Sequence, residues 1–268
     1  YFEQDSANIF PNTDIKGGVV VTYRNAREKL GPIEIFTAFD ELNSILHKVS
    51  VSTKETLDSI ISGRGVYRLY EKALNSYPQI EDIQSKGHKY DVGSGAFKIL
   101  SNIVFFDGRQ SANDVQILGL ENLNRTYKWI DLDYLNPPKS FYKFKVFIPE
   151  AIGSGAFGEV LSTPLVAPPR VGAIETFLSI GGFDTREEAE ACLKYIKTKF
   201  ARAMLGILKI TQAATRDKWA KVPLQDFTSN SDIDWTQSIN DIDQQLYDKY
   251  EFTEEEIDFI ESKVKEME

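Results

Sequence analysis

Thr185-Arg-Glu-Glu-Ala-Glu-Ala-Cys-Leu-Lys-Tyr-Ile-Lys-Thr-Lys-Phe-Ala-Arg-Ala-Met-Leu-Gly-Ile207 is the stretch that decides the fold class. Ala189, Cys192, Leu193, Ile196, Phe200, Ala203, Met204 and Ile207 recur at three- and four-residue spacing, which predicts a single amphipathic helix of roughly six turns. Thr185 and Glu188 supply a Thr-x-x-Glu capping box at its start. Lys194, Lys197 and Arg202 fall off the apolar stripe, so the opposite face reads as basic. Just upstream, Glu175 to Ile180 reads as a strand closed by Gly181-Gly182. Strands and helices mixed along one chain predict an α+β fold.

Outward from this core, the tail holds a second capped helix, with Thr253 and Glu256 as its box and Ile257, Ile260, Val264 and Met267 as its apolar seam. Toward the amino end, Gly17-Gly18 reads as a turn into Val19-Val-Val-Thr-Tyr-Arg24, a β-branched run expected to be a buried strand. A second strand is expected over Ile33 to Phe39, then a helix carrying Phe39, Leu42, Ile45, Leu46 and Val49 on one face. Ser50-Val-Ser-Thr53 is the best boundary candidate. Leu57 to Ile61 reads as a short strand or helix start, and Val66 to Asn75 as helix. Lys98 to Phe106, Val115 to Leu120, Thr126 to Leu132 and Tyr142 to Ile148 read as strands, the last alternating aromatic and basic residues as a half-exposed strand would. The expected divisions are 1–50, 51–225 and 226–268.

The 268 residues are 42% hydrophobic and 26% charged, an ordinary globular balance without a membrane span or signal peptide. Tyr1 to Pro11 shows no start-like organisation, which suggests a chain cut from something longer. Cys192 is the single cysteine, so no disulfide framework is possible and a reducing, cytoplasmic compartment fits. With only His47 and His88 beside it, a Cys/His zinc site is excluded. The net charge of −9 is unevenly spread: residues 226–268 carry −11, leaving +2 on the rest. Lys194 to Lys221 holds eight basic residues against Asp217 alone. A basic body with an acidic tail suggests a polyanionic partner, although a solvated helix face would look the same.

Several motifs advertise chemistry that the chain does not complete. Gly153-Ser-Gly155-Ala-Phe-Gly158-Glu-Val160 matches the glycine loop of protein kinases. No strand lysine, catalytic aspartate or magnesium-binding motif follows, so phosphoryl transfer has no machinery. Gly-Ser-Gly-Ala-Phe occurs twice, at Gly93 to Phe97 and Gly153 to Phe157, and looks like the cofactor loop of DNA adenine methyltransferases. Neither copy has the strand-loop-helix setting, and both read as glycine turns. Asn136-Pro137-Pro138-Lys139 nearly matches that family's Asn-Pro-Pro-Tyr/Phe, but Lys139 cannot stack on a flipped base, so a turn before the next strand is expected. Glu261-Ser-Lys263 falls on an acidic helix rather than a metal-binding strand, which argues against a nuclease centre. His47 falls in a helix next to Leu46 and His88 in a polar loop with no nucleophile nearby, so Ser-His-Asp or Cys-His catalysis is unsupported.

One family resembles the chain as a whole. Phe10-Pro-Asn-Thr-Asp-Ile-Lys-Gly-Gly-Val19 resembles a segment late in the methyltransferase domain of adenine-specific type II restriction–modification enzymes, which often hold nuclease and methylase in one polypeptide. Lys145-Val-Phe-Ile-Pro149 with the loop through Val160 resembles the middle of their target-recognition region. Lys197-Thr-Lys-Phe200 with Lys209-Ile-Thr-Gln212, Val222-Pro-Leu-Gln-Asp-Phe227 and Glu254-Glu-Glu-Ile257 resemble its end. The blocks follow the family's order across nearly the whole chain. Lys139 and the tract from Tyr67 to Asp91 depart from it and leave the recognised sequence open.

The resemblance implies the remnant edge of a methyltransferase sheet, then a target-recognition domain and a helical tail. It places the cofactor loop, the true Asn-Pro-Pro-Tyr and S-adenosylmethionine in an upstream domain of the same polypeptide, with magnesium where the parent also cleaves DNA. No cofactor and no catalytic residue is then expected within this chain, whose partner would be double-stranded DNA. A protein-assembly module and a metal-dependent nuclease remain the rival readings. Phosphate contacts are supplied by Lys and Arg, which makes Lys143, Lys145, Lys199, Arg202, Lys209, Arg216 and Lys218 the candidates. Base edges are read by Arg, Asn or Gln on loops, which selects Arg64, Arg68, Arg109 and Gln212. Glycines at Gly153 to Gly158 would let backbone approach a phosphate.

Overall fold

The computed structural model describes every residue except 4, 14, 16–18, 29–34 and 268. In chain order its first elements are β1 (Phe2–Glu3), β2 (Val19–Val20), α1 (Asp40–Ser52), β3 (Arg68–Leu69), α2 (Glu71–Ser76), α3 (Ile80–Ile83) and α4 (Ala96–Ile99). Then come β4 (Asp114–Glu121), β5 (Asn124–Asp131), β6 (Leu135–Asn136), β7 (Phe144–Pro149), β8 (Leu165–Ala167), β9 (Val171–Ala173) and β10 (Phe177–Phe183). Helices α5 (Arg186–Lys197), α6 (Lys199–Gly206), α7 (Ile239–Lys249) and α8 (Glu254–Lys263) complete an α+β architecture of helices and small sheets.

Strand β7 is the wall between two hydrophobic cores. It pairs antiparallel with β10 on one side and β8 on the other. Successive side chains of a strand point to opposite faces. Val146 and Ile148, with Leu178 and Ile180 of β10, therefore join a core built by α1 and α5 to α8. Phe147 and Phe177 join a second core with β4, β5, β9 and the short helices α2 to α4. Burial on both faces is why Tyr142–Ile148 does not form the half-exposed strand its alternation suggests; Lys145 shares the Phe147 face and is fully buried.

In the second sheet β4 runs antiparallel to β5 over eight residue pairs and parallel to β9 over Gln116–Leu118. The chain leaves β9, turns through Ile174–Thr176 and enters β10 where Phe177 pairs with Pro149. The far ends of β4, β9 and β7 and the start of β10 thus gather at one end of the molecule. The starts of β4 and β7 lie at the other, where Arg170 N donates to Phe141 O (2.8 Å).

The expected six-turn helix is two helices. Thr198 breaks it: its hydroxyl accepts from Ala201 N, capping α6. The buried carboxylate of Asp243, from α7, accepts from Lys199 N and Phe200 N at 2.9 Å each. Side-chain acceptors offer these amides an alternative to a continuous helix, and such a cap contributes about 1 kcal/mol. At α8 the expected capping box is complete. At α5 Thr185 accepts from Glu188 N, but the Glu188 carboxylate takes Asp184 N instead.

Other segments differ from their sequence reading. Val19–Arg24 forms only the two-residue β2 against β1, and with no layer over it among the described residues Val20, Val21 and Tyr23 are 61%, 54% and 78% exposed. Gly17-Gly18 and the start of the Ile33–Phe39 segment lie outside the described residues; 35–39 contain no strand. Lys98–Phe106 is the end of α4 followed by turns, with Asn102 at φ +57 reversing the chain so that Leu100, Val104 and Phe105 reach the core. Val66–Asn75 splits into β3 and α2. The divisions at 50 and 226 are not breaks in packing: Leu42 and Ile45 of α1 share one core with Phe259 and Ile260 of α8, and Lys48 pairs with Glu256 at 2.7 Å.

Candidate nucleic-acid interface

The basic residues nominated from sequence fall into three groups. Lys145, Arg202 and Lys209 are inside the protein and cannot meet a phosphate, which corrects the expectation for all three. The Lys145 ammonium donates to the carbonyls of Phe141, Lys143 and Pro168 at 3.2, 3.0 and 2.9 Å. Burial pushes its pKa down to about 7. Arg202 donates from Nε to Lys197 O and Thr198 O, while Nη1 and Nη2 are buried with no acceptor among the described residues. Burial lowers its pKa to about 10, against the pull of Asp243. Lys209 is spent on Glu159 at 2.5 Å.

A second group is scattered, with Lys143 and Arg109 at the surface and Lys199 largely buried. Lys143 pairs with Asp184. Arg109 donates to Ser111 O and Ala112 O and lies over the Trp129 ring. Both precede the first residue of a strand, β7 and β4, at the end of the molecule opposite the gathered strand ends. Lys199 pairs with Glu261 of α8, among the helices.

The third group converges. Arg68 pairs with Asp91 at 2.9 Å. One residue on, Val92 O accepts from Glu175 N, and Glu175 pairs with Arg64 at 3.1 Å. Arg64 also lies 3.5 Å from Glu150, just past β7. Glu150 O in turn accepts from Ala214 N, and Ile152 N donates to the carbonyl of the exposed Gln212. Arg216 donates from Nε to Asp58 O, and its terminal nitrogens carry no further hydrogen bond among the described residues. Asp58, Arg64, Glu150, Leu178, Thr215, Arg216 and Asp217 line an open cleft of about 350 Å³. Lys218, half-buried and paired with Asp217, sits on the same short turn of helix. Arg64 and Arg216 therefore share one cleft at the gathered strand ends, with Gln212 and Lys218 close to Arg216 in the chain, whereas Arg68 pairs with Asn136 of β6 and is linked to the cleft only through Asp91, Val92 and Glu175.

The glycine loop at 153–158 does not wait for a phosphate. Ser154 N and Gly155 N both donate to the Glu159 carboxylate at 2.8 Å, and Lys209 completes the site. Position 155 requires glycine both for its φ of +99 and because a Cβ there would meet the Thr211 backbone at 2.6 Å. The first Gly-Ser-Gly-Ala-Phe copy repeats the arrangement: Ser94 N donates to Glu175, whose cation is Arg64. Each copy's phenylalanine also covers a glycine, Phe97 over Gly119 and Phe157 over Gly206. Asn136 ends β6, and Pro138 starts the short helical turn that leads into β7.

Sequence reasoning missed the acidic partners Glu150, Glu159, Glu175 and Asp243, which lie far from their cations in the chain. The recurrence of Gly-Ser-Gly-Ala-Phe was the one available signal of a shared role. Among the described residues no cluster of His, Cys, Asp or Glu could hold a metal ion, and no helix is long and apolar enough to cross a membrane. Compared with known proteins, the chain matches no family model and no curated sequence.

Proposed function

We propose that this chain is the DNA-reading region of an adenine-specific N6 DNA methyltransferase of a type II restriction–modification system. The observation that carries the reading is the cleft shared by Arg64 and Arg216 at the gathered strand ends, with Arg68 linked to it through Asp91, Val92 and Glu175. Asp91 and Glu175 hold the Arg68 and Arg64 guanidiniums by charged contacts, and such contacts keep the planar fork aimed, as bidentate contact to guanine O6 and N7 requires. The positive charge of Arg64, Arg68, Arg216 and Lys218 is fully balanced by Asp91, Glu175, Glu150 and Asp217. It suits reading base edges more than neutralising phosphates. In this proposal methyl transfer from S-adenosylmethionine to an adenine amino nitrogen belongs to a methyltransferase domain of the same polypeptide, for which the exposed Val20, Val21 and Tyr23 offer an apolar contact.

The test is selection from a randomised duplex pool by the whole chain, followed by affinity measurements across salt. Enrichment of a defined sequence, its loss in the Arg64→Gln/Arg216→Gln double variant, and only a shallow fall of affinity with salt are the expected results. Absence of duplex binding at low salt, or equal enrichment by the variant, overturns the reading. The exposed amino-terminal side chains also favour a second reading, a protein-assembly module; self-association or partner binding that is indifferent to DNA and to the two arginines would support it.

A further inference from the structure

The β4–β5 hairpin ends in a turn that its sequence should resist. Glu121 pairs with Asn124 across Asn122 and Leu123, whose φ angles are +50 and +66. Two successive left-handed residues make a type I′ turn, which favours Asn followed by Gly. Asn122 fits that preference. Leu123 does not, because a bulky side chain in the left-handed region is strained. Nothing among the described residues compensates, since Leu123 is 92% exposed, above every other large apolar residue described. A strained backbone that displays an uncovered apolar side chain is a feature that function, rather than folding, explains.

The position of the turn supplies the partner. Strand β9 covers β4 only as far as Leu118, which pairs with Ala173. The last three residues of β4 run on beyond Leu118, whose carbonyl accepts from Ile174 N, one residue before Glu175. Arg125, just past the tip, is anchored by Ser162 O at 3.1 Å and by the Phe177 ring, so the base of the hairpin is held while its tip projects. Asn122 and Asn124 flank Leu123, both exposed, and amide side chains can donate to and accept from base edges. β-Ribbons enter DNA grooves, and apolar side chains such as Leu open base steps by wedging between them.

We propose that Leu123 is a wedge that inserts between stacked bases of duplex DNA, with Asn122 and Asn124 against the base edges beside it. The proposal rests on the DNA-reading function above and adds how the duplex is deformed at the site. The test uses the whole chain with duplexes enriched by the wild type, reading affinity and the permanganate reactivity of thymines, which reports unstacking. Leu123→Gly relieves the turn, and Leu123→Asn keeps a residue that tolerates it, so both should fold with a melting temperature equal to or above the wild type. Each should bind about tenfold more weakly, the scale of one lost apolar side chain at an interface, and lose the reactive thymines. Variants that bind within about twofold of the wild type, with the same thymine pattern, overturn the wedge and leave the DNA reading standing. A wild type that enriches no duplex overturns the DNA reading itself, and the wedge with it.

Discussion

Replacing Glu159 with Gln tests whether the glycine loop is a structural clasp. The carboxylate accepts from Ser154 N and Gly155 N at 2.8 Å, from Ser154 Oγ at 3.3 Å and from Lys209 Nζ at 2.5 Å. Burial by itself would raise its pKa, but the bonds from Lys209 and the two amides overcome burial and hold it at about 2. The folded value lies below the unfolded value of 4.5, so the stabilisation is fully present above pH 4.5 and is lost as pH falls toward 2. Two and a half units correspond to about 3 kcal/mol. Glutamine keeps one acceptor for the amides but leaves the buried Lys209 uncompensated, which costs about 3–5 kcal/mol. For a chain of this size that is a drop of roughly 6–20 °C in melting temperature. The assay is thermal and urea unfolding followed by circular dichroism, at neutral pH and across pH 2 to 5. Glu159→Gln should melt lower and lose the wild type's extra dependence on acid, and Lys209→Met in the same background should recover most of the loss. A variant that melts within about 2 °C of the wild type, with the same acid dependence, would refute the clasp.

Burial raises Asp243 to about 6, against the amides of Phe200 and Lys199; its contribution is therefore present below the unfolded value of 3.8 and is lost as pH rises through 6, a slope that should vanish in Asp243→Asn by urea unfolding. Burial lowers Lys145 to about 7 from 10.5, so the unfolded chain binds the extra proton between those values and stability should rise with pH there, a rise absent from Lys145→Met. A Cβ at Gly119 would meet the Phe97 ring at 2.3 Å, and one at Gly206 the Phe157 ring at 2.6 Å; each Gly→Ala variant should lose about 1–3 kcal/mol in denaturant titrations through overpacking.

Periodicity carried the helices and the hairpin, because a helical stripe such as Leu42, Ile45, Leu46 and Val49 reports a buried face wherever the partner sits. It failed where a distant side chain intervened. The run through Thr198 has an unbroken apolar stripe, yet the buried carboxylate of Asp243, 45 positions on, claims the amides at which the helix restarts. Alternation misplaced Lys145 because a strand between two cores buries both faces, and one sequence does not reveal how many cores will form. The charge of the candidate site was readable and its availability was not: Arg202 and Lys199 stand three positions apart, one sealed between helices and the other paired with a surface acid. What separates a free cation from a spent one is a partner that topology alone brings near.

The recurring Gly-Ser-Gly-Ala-Phe shows what such a motif can mean without a ligand. In both copies the serine amide holds a glutamate that also binds a cation, and in both the phenylalanine covers a glycine of another element. An exposed amide pair at a glycine turn attracts an anion, and here a carboxylate of the chain itself meets that demand. The two copies differ in one respect that matters for the interface. Glu159 draws its cation, Lys209, inward, leaving 5% of that side chain exposed, whereas Glu175 holds Arg64 at the surface, 57% exposed. The same local device thus closes one site and presents a guanidinium at the other. If Arg64 reads DNA, Glu175 and Ser94 are its positioning residues: Glu175→Gln should weaken sequence discrimination while leaving salt-dependent, non-specific binding close to that of the wild type, a split that loss of fold could not produce.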